Sequence, residues 1–132
     1  MRKAIILVVE RDPNIRELEA HVLHQAGYSV EFEQDGSGAL AQARKLVPDI
    51  IITEILVPKL DGLALCRQLK ADPLTRDIAV LVFSILAAAG RAREAGADAF
   101  LLKPLAEHRL VETVLQLLEM RSVRNRGTQH AR

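Results

Sequence analysis

Ala4-Ile5-Ile6-Leu7-Val8-Val9-Glu10-Arg11-Asp12-Pro13 is the stretch on which the reading of this chain turns. Its first six residues are apolar without alternation, as in a strand covered on both faces. The run stops at three charged residues. Asp12 is placed to cap a helix, with Pro13 at its first position. Ile15, Leu18, Val22, Leu23 and Ala26 then recur at helical spacing, and Gly27 supplies the stop. One buried strand followed at once by one amphipathic helix is half of a parallel β-α-β unit.

The same alternation runs outward to the end of the chain. Tyr28–Glu33 is a short alternating strand, Asp35-Gly36-Ser37-Gly38 a turn, and residues 38–47 a second helix broken by Pro48-Asp49. Ile50-Ile51-Ile52 is another apolar run. The loop from Pro58 to Gly62 leads to a third helix bearing Leu63, Leu65, Cys66 and Leu69. Ile78–Phe83 predicts a strand, 87–95 a short alanine-rich helix ending at Gly96, Ala99–Leu102 a last strand, and 106–120 a final helix. Strands alternating with helices predict an α/β fold, five units long, with a parallel sheet between two helical layers and right-handed crossovers.

Composition agrees. The 132 residues support one domain, expected over 1–120. A single cysteine makes no disulfide framework and no zinc-ligand spacing is present. Six apolar residues after Met1-Arg2-Lys3 are too few for a signal peptide, and nothing approaches the ~20 of a membrane span. A cytoplasmic protein is expected. The net charge of +1 hides an asymmetry: residues 121–132 carry Arg121, Arg124, Arg126 and Arg132 and no acid, so the rest of the chain has an acidic excess. That basic tail is expected to be disordered. With four aromatic residues there is no stacking platform, and nucleic acid is not an expected partner. Glu17, His21 and His24 share a helical face read as solvated rather than metal-binding.

In open parallel sheets, ligands gather beyond the carboxyl ends of the strands. Those positions hold Glu10-Arg11-Asp12, Glu54, Ser84 and Lys103-Pro104. Together with Ala26-Gly27-Tyr28, Asp35-Gly36, Pro48-Asp49, Pro58-Lys59-Leu60-Asp61-Gly62 and Gly96-Ala97-Asp98-Ala99-Phe100, they resemble the receiver domain of two-component response regulators over about residues 3–120. The resemblance implies a flavodoxin-like, doubly wound (βα)5 fold with strand order 2-1-3-4-5. It implies phosphorelay signalling, with a histidine kinase or downstream effector as partner. In a conventional receiver an aspartate after the third strand accepts a phosphoryl group, two acids after the first strand help to hold Mg²⁺, and a Ser or Thr and a Lys bind the phosphoryl oxygens. An aromatic residue in the fifth strand acts as a switch.

This sequence departs from that pattern where the chemistry lies. Glu54 replaces the acceptor aspartate, and its extra methylene displaces the oxygen by more than an ångström, a shift that can cost ~10²-fold. Glu10 keeps the first acid but Arg11 replaces the second, leaving Asp12 beside it. A guanidinium repels Mg²⁺ where an aspartate attracts it. Metal binding is therefore expected to be lost or very weak, with Arg11 or Lys103 pairing with Glu54 in place of the ion. Ile85 is expected to crowd a phosphate, and Ser84 to Gly96 to be shortened. Phe100, at the switch position, is expected to hold one conformation, since no phosphate biases it. The pocket so defined is Glu10, Arg11, Asp12, Glu54, Ser84 and Lys103, with no catalytic residue. The expected role is a stand-alone pseudo-receiver, not an enzyme, acting by protein binding. Two alternatives remain: slow phosphorylation of Glu54 with Mg²⁺ on Glu10, Asp12 and Glu54, or sensing of a small anion in the same crevice. Surplus apolar residues on the last helix admit a homodimer through 87–120.

Overall fold

The computed structural model describes residues 2–104 and 106–130, with side chains as far as residue 122. Five parallel strands, β1 (Ile5–Val9), β2 (Ser29–Glu33), β3 (Ile50–Thr53), β4 (Ala79–Ser84) and β5 (Ala99–Leu102), form one sheet in the order β2-β1-β3-β4-β5. They alternate with α1 (Pro13–Gln25), α2 (Gly36–Leu46), α3 (Gly62–Ala71), α4 (Ala89–Glu94) and α5 (Glu107–His130). This is the parallel α/β sheet expected from the alternation of runs, in the doubly wound, flavodoxin-like order that the receiver resemblance implied.

The two-residue period of the strands divides the core. Ile6, Val8, Ile50, Ile52, Leu81 and Phe83 pack against Val22 and Leu23 of α1 and Leu110, Val114 and Leu117 of α5. Leu7, Val9, Ile51, Val80 and Val82 face α2, α3 and α4 through Ala39, Ala43, Leu65, Leu69 and Ala92. Each fully buried branched side chain contributes about 1.5–3 kcal/mol. A slip of one residue would turn both sets toward the wrong layer, so the register is closely specified.

Local signals set the helix ends. Asp12 caps α1 by accepting from the amides of Asn14 (2.9 Å) and Ile15 (3.4 Å), with Pro13 in the first turn. Gly27, at φ +96°, turns the chain out of that helix. Asp35 and Asp61 cap α2 and α3 in the same way.

Two expectations need correction. Leu18, read as part of the buried stripe of α1, is 56% exposed, whereas Glu19 beside it is buried. The last helix does not end at 120: its backbone continues to His130, so the tail boundary at 121 falls inside it. Arg121 folds back to donate to Asp49 Oδ1 (2.9 Å) and the Asp77 carbonyl (3.0 Å), tying α5 to the lower edge of the sheet. The side chains of Arg124 and Arg126, and all of Arg132, lie outside the described residues. The apolar surplus on α5 is partly consumed by the core: Val111 and Leu118 pack against it, while Leu115 and Met120 stay exposed. No helix among the described residues is long and apolar enough to cross a membrane.

Candidate functional site

Backbone hydrogen bonds continue the sheet ladder one residue past the strands and set the site residues side by side. The Glu10 amide donates to Glu33 O, the Glu54 amide to Val9 O, and the Lys103 amide to Ser84 O. Gly62 lets the following loop press on Glu54, since a Cβ there would stand 2.3 Å from the Glu54 carbonyl oxygen.

The Glu54 carboxylate is held on all sides. Its Oε2 accepts from the Ser84 hydroxyl, from the Ile55 amide at 2.6 Å and from the Leu56 amide at 3.4 Å. Its Oε1 accepts from the Ile85 amide at 3.2 Å and lies 3.5 Å from Lys103 Nζ. Burial pushes this carboxyl up, but the Ser84 hydroxyl, Lys103 and the amides of Ile85 and Ile55 outweigh it and hold Glu54 below the usual carboxylate range.

Lys103 is the hub. Its ammonium donates to Glu10 Oε1 at 2.6 Å, lies 3.5 Å from Glu54 and 4.0 Å from Glu19 Oε1, and stands 5.2 Å from the centre of the Phe83 ring. Burial alone would lower its pKa; the hydrogen bond it donates to Glu10 and the charges of Glu19, Glu10 and Glu54 raise it instead. Glu19 enters from α1. Its Oε2 is buried and has no hydrogen-bond partner among the described residues. Burial pushes Glu19 up to about 7, with Lys103 pulling down and Glu10 and Glu54 pushing further up.

The structure therefore assembles Glu10, Glu54, Ser84 and Lys103 as the sequence led us to expect, adds Glu19, and leaves two residues aside. Arg11 is exposed and makes no hydrogen bond or ion pair among the described residues, so the cation beside Glu54 is Lys103 alone. Asp12 is committed to the cap of α1, and its amide donates to Glu10 Oε2 (3.1 Å). Ile85 is 60% exposed, and it is its amide that reaches the Glu54 carboxylate. Phe100 is partly buried against the core face of α2–α4. Glu17, His21 and His24 are exposed, and among the described residues no group of three or more His, Cys, Asp or Glu side chains is arranged to hold a metal ion. Glu19 was legible in principle: a lone acid four residues after Ile15 and three before Val22 falls within the apolar stripe.

The comparisons agree with this geometry. The family model for the response regulator receiver domain matches residues 6–115. The chain belongs to the receiver-domain family. It is 36% identical over 126 residues to the response regulator PleD of Caulobacter vibrioides, covering 93% of this chain and 28% of that protein. It is 35% identical over 116 residues to the DNA-binding regulator RpaA of Synechocystis, covering 86% of this chain and 48% of the relative. The chain thus spans half or less of these relatives. Among solved structures, the receiver domain of a signal transduction histidine kinase from Syntrophus aciditrophicus superposes with a TM-score of 0.83 at 38% identity, covering 88% of this chain and 90% of that one. The chemotaxis response regulator CheY4 of Vibrio cholerae gives 0.83 at 28%, covering 89% and all of that chain. As a receiver domain, the chain has its place in two-component signalling.

Proposed function

We propose that this receiver acts in one fixed state, by binding a protein partner, without phosphorylation of position 54. The observation that carries the reading is the filled donor set of Glu54. In a conventional receiver the Ser or Thr hydroxyl and the Lys serve the phosphoryl group. Here the Ser84 hydroxyl, the Ile85 amide and Lys103 are all taken by the Glu54 carboxylate. Glu54 keeps a permanent negative charge where the family places phosphoaspartate. A ligand can shift a conformational equilibrium only through donors that it engages in one state and not the other. These donors are already engaged.

The residues present do not suit the family's Mg²⁺. The Lys103 ammonium lies 2.6 Å from Glu10 and 3.5 Å from Glu54, Asp12 caps α1, and Arg11 stands at the position of the second acid. We derive no metal-dependent step and no enzymatic activity. A cytoplasmic histidine kinase or downstream effector is the proposed kind of partner. An anion-sensing role has less support, because three carboxylates converge on the single ammonium.

The test is incubation with acetyl phosphate and Mg²⁺, followed by intact-mass measurement and peptide mapping. We expect no phosphoryl adduct on Glu54, and no movement of the Glu10, Glu54, Ser84 and Lys103 amide resonances on Mg²⁺ titration. An adduct mapped to Glu54 overturns the reading.

A further inference from the structure

Asp35-Gly36-Ser37-Gly38, read from the sequence as a turn, does more than start α2. It is pressed against the loop of residues 54–61 that joins β3 to α3, and the Ile55 and Leu56 amides of that loop hold Glu54 Oε2. Further along the loop, the Pro58 carbonyl accepts from the Gly36 amide at 3.1 Å. A Cβ on Gly36 would stand 1.7 Å from the Leu60 carbonyl oxygen and 2.7 Å from the Leu60 Cβ, so any side chain there must push the loop away. Lys59 Nζ lies 3.6 Å from Asp35 Oδ2. Lys59 also has φ +69°, a left-handed conformation that persists in a residue other than glycine where its surroundings hold it. Val57 and Leu60 pack in the same core layer as Ala39 of α2.

We propose that Gly36 and Asp35 are positioning residues for Glu54: they lock the β3–α3 loop in the place from which its amides grip the carboxylate. The chain of contacts is short. Gly36 and Asp35 fix Pro58, Lys59 and Leu60, and the donors to Glu54 lie only two and three residues before Pro58. At the far end of the loop the Gly62 amide donates to Ile55 O at 2.9 Å and draws that end back toward Glu54. The other fixed donors of Glu54, the Ser84 hydroxyl and the Ile85 amide, come from the end of β4 rather than from this loop. The two donor sets therefore separate. A displacement that starts at Gly36 reaches the Ile55 amide on Oε2 and spares the Ile85 amide on Oε1, whereas a general loosening of the fold reaches both. The inference rests on the observed donor set and stands whether or not position 54 accepts a phosphoryl group.

Amide hydrogen exchange and amide proton shifts, measured by NMR on the full chain at pH 7, read the two donor sets separately. Gly36→Ala is expected to speed exchange at Ile55 about tenfold or more and to move its proton resonance upfield, as a charge-assisted bond to the carboxylate weakens, while Ile85 keeps its parent values. Asp35→Asn retains a good cap for α2 and removes the charge that faces Lys59. A smaller change of the same kind at Ile55 is expected there, and this variant decides the matter should Gly36→Ala not fold. Gly90→Ala adds the same methyl group where it meets nothing within 4 Å, and should leave both amides as in the parent. An Ile55 amide unchanged in Gly36→Ala, or in Asp35→Asn where that variant decides, overturns the proposal. So do Ile55 and Ile85 amides that change alike, or an equal change at Ile55 in Gly90→Ala.

Discussion

Glu54 and Glu19 are each 5% exposed and stand within 4.0 Å of the same ammonium, yet their protons behave in opposite ways. Glu54 is held below its ordinary pKa by a hydroxyl, backbone amides and Lys103. Among the described residues Glu19 has no donor to Oε2, and burial pushes it up to about 7. Burial penalises both charges, and the supply of fixed donors around Glu54 reverses the outcome there. The acceptor side of the cleft is thus a finished electrostatic structure, and the α1 side an unfinished one.

The largest test removes the group they share. Lys103→Met leaves Glu10, Glu54 and Glu19 facing one another without a cation. Breaking a buried ion cluster from one side costs about 3–5 kcal/mol, to be read from urea unfolding at pH 7.5. The loss should shrink at pH 5, where Glu19 takes a proton and withdraws one charge. A variant as stable as the parent at both pH values would show that the cluster is not electrostatically coupled.

Glu19→Gln sharpens the comparison with the opposite sign. In the unfolded chain a glutamate titrates near 4.5, in the fold this one near 7. Between these values the folded state holds a proton that the unfolded state has released, so stability falls as pH rises through this window and the loss is complete above about 7. The gap corresponds to about 3 kcal/mol. The amide cannot ionise, so the variant should match the parent at pH 4.5 and exceed it by up to about 3 kcal/mol at pH 8. A constant difference across that range would mean that Glu19 does not titrate in it.

Ser84→Ala addresses the finished side. It deletes one donor to a buried carboxylate and should cost about 2 kcal/mol at neutral pH. Its effect has the reverse pH dependence. Glu54 is depressed in the fold, so its contribution is present above the unfolded pKa and is lost as pH falls through the folded one. The cost of the variant should therefore fade on acidification. Unfolding curves of parent and variant from pH 7 to 3 measure it.

Architecture was legible because the signals that specify it are redundant. An apolar run, an Asp cap and a first-turn Pro agree at Val9–Pro13, Gly27 and Gly96 end their helices, and the structure follows each of these signals. The positions of Glu10, Glu54, Ser84 and Lys103 were legible for the same reason: a residue that follows a buried strand has one place to be. The direction of a long side chain in the first turn is not encoded in that way. Arg11 and Asp12 follow the same strand, but the backbone amides of α1 claim Asp12, while no group among the described residues claims Arg11. Glu19 was obscured by counting Leu18 into the apolar face, a hundred-degree rotation that periodicity alone does not resolve when only a few residues mark the stripe. Past residue 120, Arg121 reaches Asp49, a contact between residues far apart in sequence that no local pattern announces.

The smallest expected effect tests the reassignment of the cation. If Arg11 neutralised Glu54, Arg11→Ala would strand a buried carboxylate and cost several kcal/mol. With Arg11 exposed and unpaired among the described residues, the expected change is within about 0.5 kcal/mol. Asp12→Ala, one position along, removes the acceptor for two helix amides and should cost about 1 kcal/mol. The two variants differ by one residue in position and carry charge changes of opposite sign, so their order also separates local capping from any general response of the acidic cleft to net charge. A general response would make Arg11→Ala the more damaging, since it adds to the acidic excess, and Asp12→Ala the milder. Urea midpoints at pH 7 and low salt decide between the two, because screening is weakest there.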